Sequence, residues 1–202
     1  MCYISSFRSK CYKKSSEASG LSKRDRKRAE IVGKLATHFL EAGLGDTGVR
    51  RLAEVADTSD RMLLYYFDTK DEILAAVLGE IGGGFTDVLD AVFGTEPLRP
   101  ADAVTRIWAM VRDEATAGQL RLWLDLSSRA SRGDPFFGAI VEQMAEGWIV
   151  WLSGMLDEPD AEKRPLAELI MSAIDGQVVL FPTDLTKGDA AVAKLQDLLR
   201  DL

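Results

Sequence analysis

The sequence is poor in the residues that build metal sites, disulfide frameworks and catalytic triads. Its two cysteines, Cys2 and Cys11, lie in the first dozen residues, and His38 is the one histidine in 202 residues. Zinc sites draw their ligands from clustered Cys and His, and nucleophilic triads need a correctly placed base. We therefore predict no metal, no cofactor and no enzymatic activity. The cysteines are interpreted as free thiols, with redox sensing as the alternative.

Long apolar runs are missing as well. Residues 148–152 form one of the longest such stretches, far short of the roughly 20 residues needed to cross a bilayer. The N-terminus lacks the apolar core of a secretory signal. We expect a cytoplasmic protein with no membrane partner.

Charge is divided unevenly along the chain. Residues 1–75 hold 14 Lys and Arg against 11 Asp and Glu, whereas the remainder holds 11 against 21. A basic N-terminal part on an acidic body suggests that only the N-terminal part meets a polyanion. A charge-separated surface without a partner would explain the same counts.

Apolar spacing predicts helices throughout and no strand, so the expected class is all-α. Residues 1–22, rich in Ser, Lys and Arg, are predicted to form a flexible basic tail. Ile31, Leu35 and Phe39 recur every four residues and predict a first helix from Lys23 that ends at Gly43.

A helix-turn-helix follows. Two short helices are predicted on either side of residues 57–59, with Ser59 or Thr58 capping the second of them, which runs to about Phe67. A fourth helix should begin at Lys70 after Asp68 and Thr69, and bend or break at the three glycines 82–84. Further helices are expected over residues 101–116, 120–131, 136–156, 165–181 and 189–202.

The second short helix carries side chains suited to DNA. Arg61 can bond two acceptors of guanine, Met62 can touch a thymine methyl, and tyrosine or lysine donors can bind phosphates. Leu63 and Phe67 should face inward. The predicted DNA-binding residues are Thr47, Arg50, Arg51, Ser59, Asp60, Arg61, Met62, Tyr65, Tyr66 and Lys70.

Several of these assignments have alternatives. Tyr66 could instead pack a small core, and Arg50 and Arg51 could be ordinary surface residues. Counterion release by further N-terminal cations is expected to strengthen binding without reading sequence. These cations are Lys10, Lys13, Lys14, Lys23, Arg24, Arg26, Lys27 and Arg28.

The stretch "TGVRRLAEVADTSDRMLLYYFDTKDEIL" resembles the N-terminal domain of TetR-family transcriptional regulators. Asp57 stands where that family usually has a glycine, Leu64 where it has a tyrosine, and Tyr66 where it has a histidine. The resemblance implies a helix-turn-helix DNA-binding domain over residues 23–69. It also implies a helical ligand-binding and dimerisation domain over residues 70–202.

By this resemblance the middle helices would form an effector pocket and the last two long helices a dimer interface. Core packing explains the pocket aromatics equally well, and intrachain burial explains the dimer stripe. The pocket prediction comprises Trp108, Met110, Trp123, Phe136, Phe137, Met144, Trp148 and Trp151. The interface prediction comprises Leu169, Ile170, Ala173, Ile174, Val178, Leu195, Leu198 and Leu199.

The resulting hypothesis is a homodimeric transcriptional regulator. We expect a repressor that a small, largely apolar effector releases from a near-palindromic operator in double-stranded DNA. One alternative is a helical small-molecule carrier or interaction protein with a degenerate DNA-binding part. The other is an enzyme that acts on a hydrophobic small molecule, against which the missing catalytic residues argue.

Overall fold

The computed structural model describes residues 22–200, with the side chain of Asp90 excepted; the predicted tail lies almost wholly outside this range. Within it the chain forms nine α-helices, two 3-10 turns and no strand, which confirms the all-α prediction. The helices are α1 (Lys23–Ala42), α2 (Val49–Val55), α3 (Asp60–Tyr66), α4 (Lys70–Phe93), α5 (Pro100–Val111), α6 (Ala117–Ser131), α7 (Pro135–Met155), α8 (Asp160–Leu180) and α9 (Asp189–Leu199).

The chain divides into two compact units, of which the first ends at Leu89 and the second begins at Asp90. The first unit starts with α1, whose N-terminus is capped by Ser22 accepting a hydrogen bond from the Asp25 amide at 3.2 Å. The predicted apolar stripe of α1 is buried, and Gly43 ends the helix with φ +77°.

The helix-turn-helix consists of α2, a tight turn and α3. Asp57 takes the turn's left-handed conformation with φ +54°, a role for which glycine is better suited. Of the two predicted caps, Ser59 is the one that caps α3, by accepting from the Met62 amide at 3.2 Å. Leu63 and Phe67 are fully buried, so the inward face of α3 is the one predicted from the sequence.

Helix α4 begins with a reciprocal cap. The Thr69 hydroxyl accepts from the Glu72 amide at 3.1 Å, and the Glu72 carboxylate accepts from the Asp68 amide at 2.8 Å. A break at residues 82–84, one of the two predicted outcomes, does not occur, because α4 continues to Phe93. Buried Leu78 and Leu89 on either side of the glycines hold the helix in place, so packing overrides propensity.

The second unit contains α5 to α9, and two of its predicted boundaries shift by five residues. The expected helix 101–116 ends at Val111, and a 3-10 turn follows in which Asp113 accepts from the Ala115 amide at 2.9 Å. Helix α8 begins at Asp160, five residues before the expected start, and contains Pro165 in its second turn. Proline there forgoes one backbone hydrogen bond, while acidic residues in the first turn favour the helix start.

Two backbone hydrogen bonds fasten the segment before α5 to the end of α7. The Leu98 amide donates to the Met155 carbonyl at 2.7 Å, and the Asp157 amide donates to the Leu98 carbonyl at 2.8 Å. Across residues 22–200, none of the helices combines the length and apolar character that crossing a membrane requires.

Candidate nucleic-acid interface

Helix α3 presents a ridge made of Arg61 and Tyr65. Successive residues of an α-helix are separated by about 100°, so these two lie opposite the buried Leu63. Both are exposed, and Tyr65 keeps 59% of its accessible surface. The ridge is therefore the part of α3 that a major groove would meet first.

Two apolar residues flank this ridge, Met62 at 40% exposure and Leu64 at 42%. Leu64 was absent from the predicted site. The signal that could have indicated it is its position about 100° around the helix from the inward Leu63.

The cations near the ridge differ in how far they are neutralised. Within the described chain, Arg61 and Lys70 are exposed and form no ion pair. Arg50 and Arg51 each lie 3.4 Å from a carboxylate oxygen of Glu54. Arg61 and Lys70 are thus the cations of this region that are most available to DNA.

Other predicted contacts have local roles. Thr47 is buried, which corrects its assignment as a surface contact to DNA; Gly48 and not Thr47 directly precedes α2. The Ser59 hydroxyl oxygen already accepts the cap hydrogen bond of α3. Asp60 is exposed in the first turn of α3, where its charge would repel a phosphate.

The C-terminal end of α3 is held by two arginines of α1. Arg24 donates to the Tyr65 carbonyl at 3.3 Å, and Arg28 donates to the Tyr66 carbonyl at 3.2 Å. Carbonyls in the last turn of a helix lack partners within the helix, so these bonds satisfy groups that α3 cannot satisfy itself. The structure thus gives these two cations a structural role in addition to the predicted contribution to DNA affinity.

Arg28 makes two further contacts in the first unit. It lies 2.7 Å from a carboxylate oxygen of Glu72 and stacks over the Phe67 ring with 4.4 Å to the centroid. Hydrogen bonds from the Asp68 amide and then from Arg28 lower the pKa of Glu72, so this carboxylate stays ionised. Arg28 consequently links α1, the end of α3 and the start of α4.

A basic cleft of about 370 Å³ lies beside the end of α3, lined by Lys23, Arg26, Lys27, Glu30 and Tyr66. Lys27 donates to both Glu30 oxygens at 2.9 and 3.0 Å, and this bond lowers the pKa of Glu30. Tyr66 is half-buried in the cleft wall. Cations and a phenol together suit an anionic oxygen of a nucleic-acid backbone.

The predicted pocket residues all lie in the second unit and differ in burial. Trp108 is buried and donates to the Asp189 carboxylate at 2.8 Å, and Phe137 is buried beneath Arg129. The others are half-buried: Met110, Trp123, Phe136, Met144, Trp148 and Trp151. Trp108 and Phe137 therefore serve the core, which was the alternative interpretation.

The hydroxyl group of Ser127 lies next to a pair of these aromatic residues, Trp123 and Trp148. The rings of Trp123 and Trp148 meet edge to face, with centroids 4.7 Å apart. Ser127 lies one helical turn after Trp123, and its buried hydroxyl has no hydrogen-bond partner within the described residues. A buried polar group without a partner is uncommon in proteins and can mark a position that a ligand satisfies.

The predicted dimer stripe divides between core and surface. Ile170, Ile174, Val178 and Leu199 are buried within the chain itself, so they cannot form the outer surface of an interface as predicted. Ala173 and Leu195 are half-buried. The exposed large apolar residues of α8 and α9 are Leu169, Val179, Leu180 and Leu198.

A short helix, a tight turn and a second helix with an exposed, cation-bearing face define a helix-turn-helix DNA-binding protein. Comparison with known proteins narrows this class. Residues 36–77 match the family model described as bacterial regulatory proteins, tetR family. This match covers the helix-turn-helix, so this part of the chain is similar to the family.

Several known proteins are similar to this chain in sequence or in fold. The HTH-type transcriptional regulator PksA of Bacillus subtilis (strain 168) is 26% identical over 159 residues, covering 75% of this chain and 77% of that protein. A TetR-family regulator from Cytophaga hutchinsonii has a similar fold, with TM-score 0.74, 18% identity and coverage of 91% of this chain and 98% of the other. The multidrug binding protein EbrR, solved with imidazole, gives TM-score 0.59 at 20% identity over 84% of this chain and 94% of its own.

Proposed function

We propose that this regulator is a repressor whose α3 enters the major groove of a near-palindromic operator. The observation that carries the proposal is the exposed Arg61 and Tyr65 ridge, which lies opposite the buried face of α3. An α-helix fits the major groove, and side chains on its outer ridge are the ones that meet base edges there. Residues 23–69 act as the DNA-binding domain, and the helices that follow respond to ligand and mediate dimerisation.

The side chains of α3 divide between bases and backbone. Arg61 bonds guanine bidentately, and Met62 on the adjoining flank packs against a thymine methyl. Tyr65, on the same ridge as Arg61, donates its phenol proton to a phosphate. Lys70 at the start of α4 supplies a further positive charge to the backbone.

The basic cleft beside Tyr66 extends the backbone contact. Lys23 and Arg26 are exposed and form no ion pair within the described part of the chain, so their charges are available to phosphates. Lys27 is already hydrogen-bonded to Glu30 and contributes less. Contacts of this kind orient a protein on DNA and make its affinity dependent on salt.

Effector binding is assigned to the second unit. The half-buried Trp123 and Trp148 offer apolar and aromatic surface, and the unsatisfied Ser127 hydroxyl offers one polar contact. A small, largely apolar ligand suits such a lining. A ligand that prefers the non-binding conformation of the protein would shift the population away from DNA.

Dimerisation is assigned to the exposed apolar residues at the C-terminal end. Leu169, Val179 and Leu180 on α8 and Leu198 on α9 are exposed in the single chain. A second copy would cover them and give the two-fold symmetry that a palindromic operator requires. Analytical ultracentrifugation of the purified protein checks this assignment.

The decisive experiment selects DNA fragments with the purified protein and then titrates variants on the selected site. We expect Arg61→Ala to lower specific affinity by about 1 to 3 kcal/mol, because one bidentate base contact is lost. Lys70→Ala should weaken binding to selected and random DNA alike. Arg132→Ala, in the second unit, is the matched control and should leave both affinities unchanged.

Two results would overturn the proposal. Equal affinity of wild type and Arg61→Ala for the selected site would remove Arg61 from base recognition. Salt-insensitive or absent DNA binding would favour a ligand carrier with an inactive DNA-binding part.

A further inference from the structure

The exposed apolar surface of the first unit is concentrated in one place. Over residues 22–89, the large apolar or aromatic side chains that are exposed all belong to α3: Met62, Leu64 and Tyr65. Single exposed apolar residues are normal on protein surfaces, but three in a helix of seven residues form a cluster that a partner is expected to cover.

Met62 and Leu64 lie on opposite flanks of the ridge. Each is one residue from the buried Leu63, so each is turned about 100° away from the inward face, in opposite senses. Met62 shares its flank with Tyr66, four residues later, which borders the basic cleft. Leu64 shares its flank with Asp60, four residues earlier.

The two flanks differ in the charge of the residues beside them. The flank of Tyr66 leads to Lys23 and Arg26, which attract phosphates. The flank of Leu64 carries the exposed carboxylate of Asp60, which repels phosphates and forms no ion pair within the described residues. Base edges, and not the sugar-phosphate backbone, are therefore the surface of DNA that the Leu64 flank can accept.

The side chain of Leu64 has no hydrogen-bonding atom, so it can recognise only an apolar group. Among base edges in the major groove, the 5-methyl group of thymine is that group. Resting on the proposed function, we infer that Leu64 determines specificity by packing against a thymine 5-methyl group of the operator. Leu64 thus adds a base contact to those of Arg61 and Met62.

The inference is tested by removing the methyl group from the DNA and the side chain from the protein. Each thymine of the selected site is replaced in turn by deoxyuridine, which lacks only the 5-methyl group. Wild-type protein should lose about fourfold in affinity for each methyl group that it contacts, the ratio expected for one buried methyl. Leu64→Ala should bind the thymine and deoxyuridine forms equally at one of those positions and keep the wild-type ratio at the others.

Conservative and structural controls complete the design. Leu64→Met keeps an apolar side chain and should restore sensitivity to deoxyuridine at the same position. Affinity for random DNA should be equal in the wild type and both variants, which shows that the variants are folded and retain backbone binding. Alanine is a better helix former than leucine, so the exposed position should tolerate Leu64→Ala.

The outcomes separate this inference from the proposed function. If Leu64→Ala shows the same deoxyuridine profile as the wild type at every position, another residue makes the methyl contacts and the inference is wrong. The same conclusion follows if the wild type is insensitive to all replacements. If the wild type prefers no selected site over random DNA, the proposed function fails and the inference fails with it.

Discussion

Removing the Arg28 side chain should destabilise the DNA-binding unit far more than removing a nearby exposed arginine. Arg28 donates to the Tyr66 carbonyl at 3.2 Å, stacks on the Phe67 ring at 4.4 Å and pairs with Glu72 at 2.7 Å. Arg26 lies two residues earlier on α1, is exposed and has no ion pair within the described residues. The two arginines therefore form a matched pair with equal charge and unequal contacts.

The magnitude follows from the individual contacts. A hydrogen bond from a cation to a partly buried carbonyl contributes about 1 kcal/mol, and a cation on an aromatic face contributes about 0.5 to 1 kcal/mol. We add nothing to the free energy of unfolding for the ion pair with Glu72, because water screens the interaction between exposed charges. Arg28→Ala should thus lower the free energy of unfolding by about 1.5 to 2 kcal/mol.

Thermal denaturation followed by circular dichroism measures the difference. For a chain of this size, Arg28→Ala should lower the Tm by roughly 3 to 8 °C, whereas Arg26→Ala should leave it unchanged. Arg26→Ala should instead weaken binding to all DNA and reduce the salt dependence of the affinity. Equal Tm values for the two variants would refute the argument that Arg28 fastens the end of α3.

Two further predictions concern the stability of the fold. Burial raises the pKa of Asp175, on α8, to about 6, whereas the pKa of an aspartate in the unfolded chain is near 4. The native protein therefore loses stability as the pH rises from about 4 to about 6. Asp175→Asn should therefore stabilise the protein by roughly 2 to 3 kcal/mol at pH 8 but not at pH 4. Urea denaturation at the two pH values measures the difference. Equal stabilisation at both would show that the charge of Asp175 is not what destabilises the native protein. Gly83→Ala should raise the free energy of unfolding by about 0.5 to 1 kcal/mol, since an added Cβ would meet no atom within 4 Å; a lower Tm would show that the glycine is needed.

Local signals in the sequence were sufficient to predict the DNA-binding unit. The Ser59 cap, the turn at Asp57 and the inward placement of Leu63 and Phe67 each depend on residues within one or two turns of each other. Backbone donors at a helix start and the conformational preferences of a turn residue act at that range. The family resemblance rested on the same short stretch.

Contacts between residues distant in sequence could not be predicted in this way. Arg24 and Arg28 bind carbonyls 41 and 38 residues away, and no local pattern distinguishes them from the free cation Arg26. The low helix propensity of the glycines 82–84 predicts a break in α4, but buried residues on both sides keep this helix continuous. Both features arise from how helices pack against one another.

The sequence by itself determined the helical class, the order of the helices and the position of the helix-turn-helix, because caps, turns and apolar spacing are properties of neighbouring residues. Only the tertiary structure decided which apolar residues are available to a partner. Ile170 is buried while the adjacent Leu169 is exposed, and Thr47 is buried while Leu64 is exposed. Amphipathic spacing shows that a helix has an apolar face, but the packing of the other helices decides how much of that face remains uncovered.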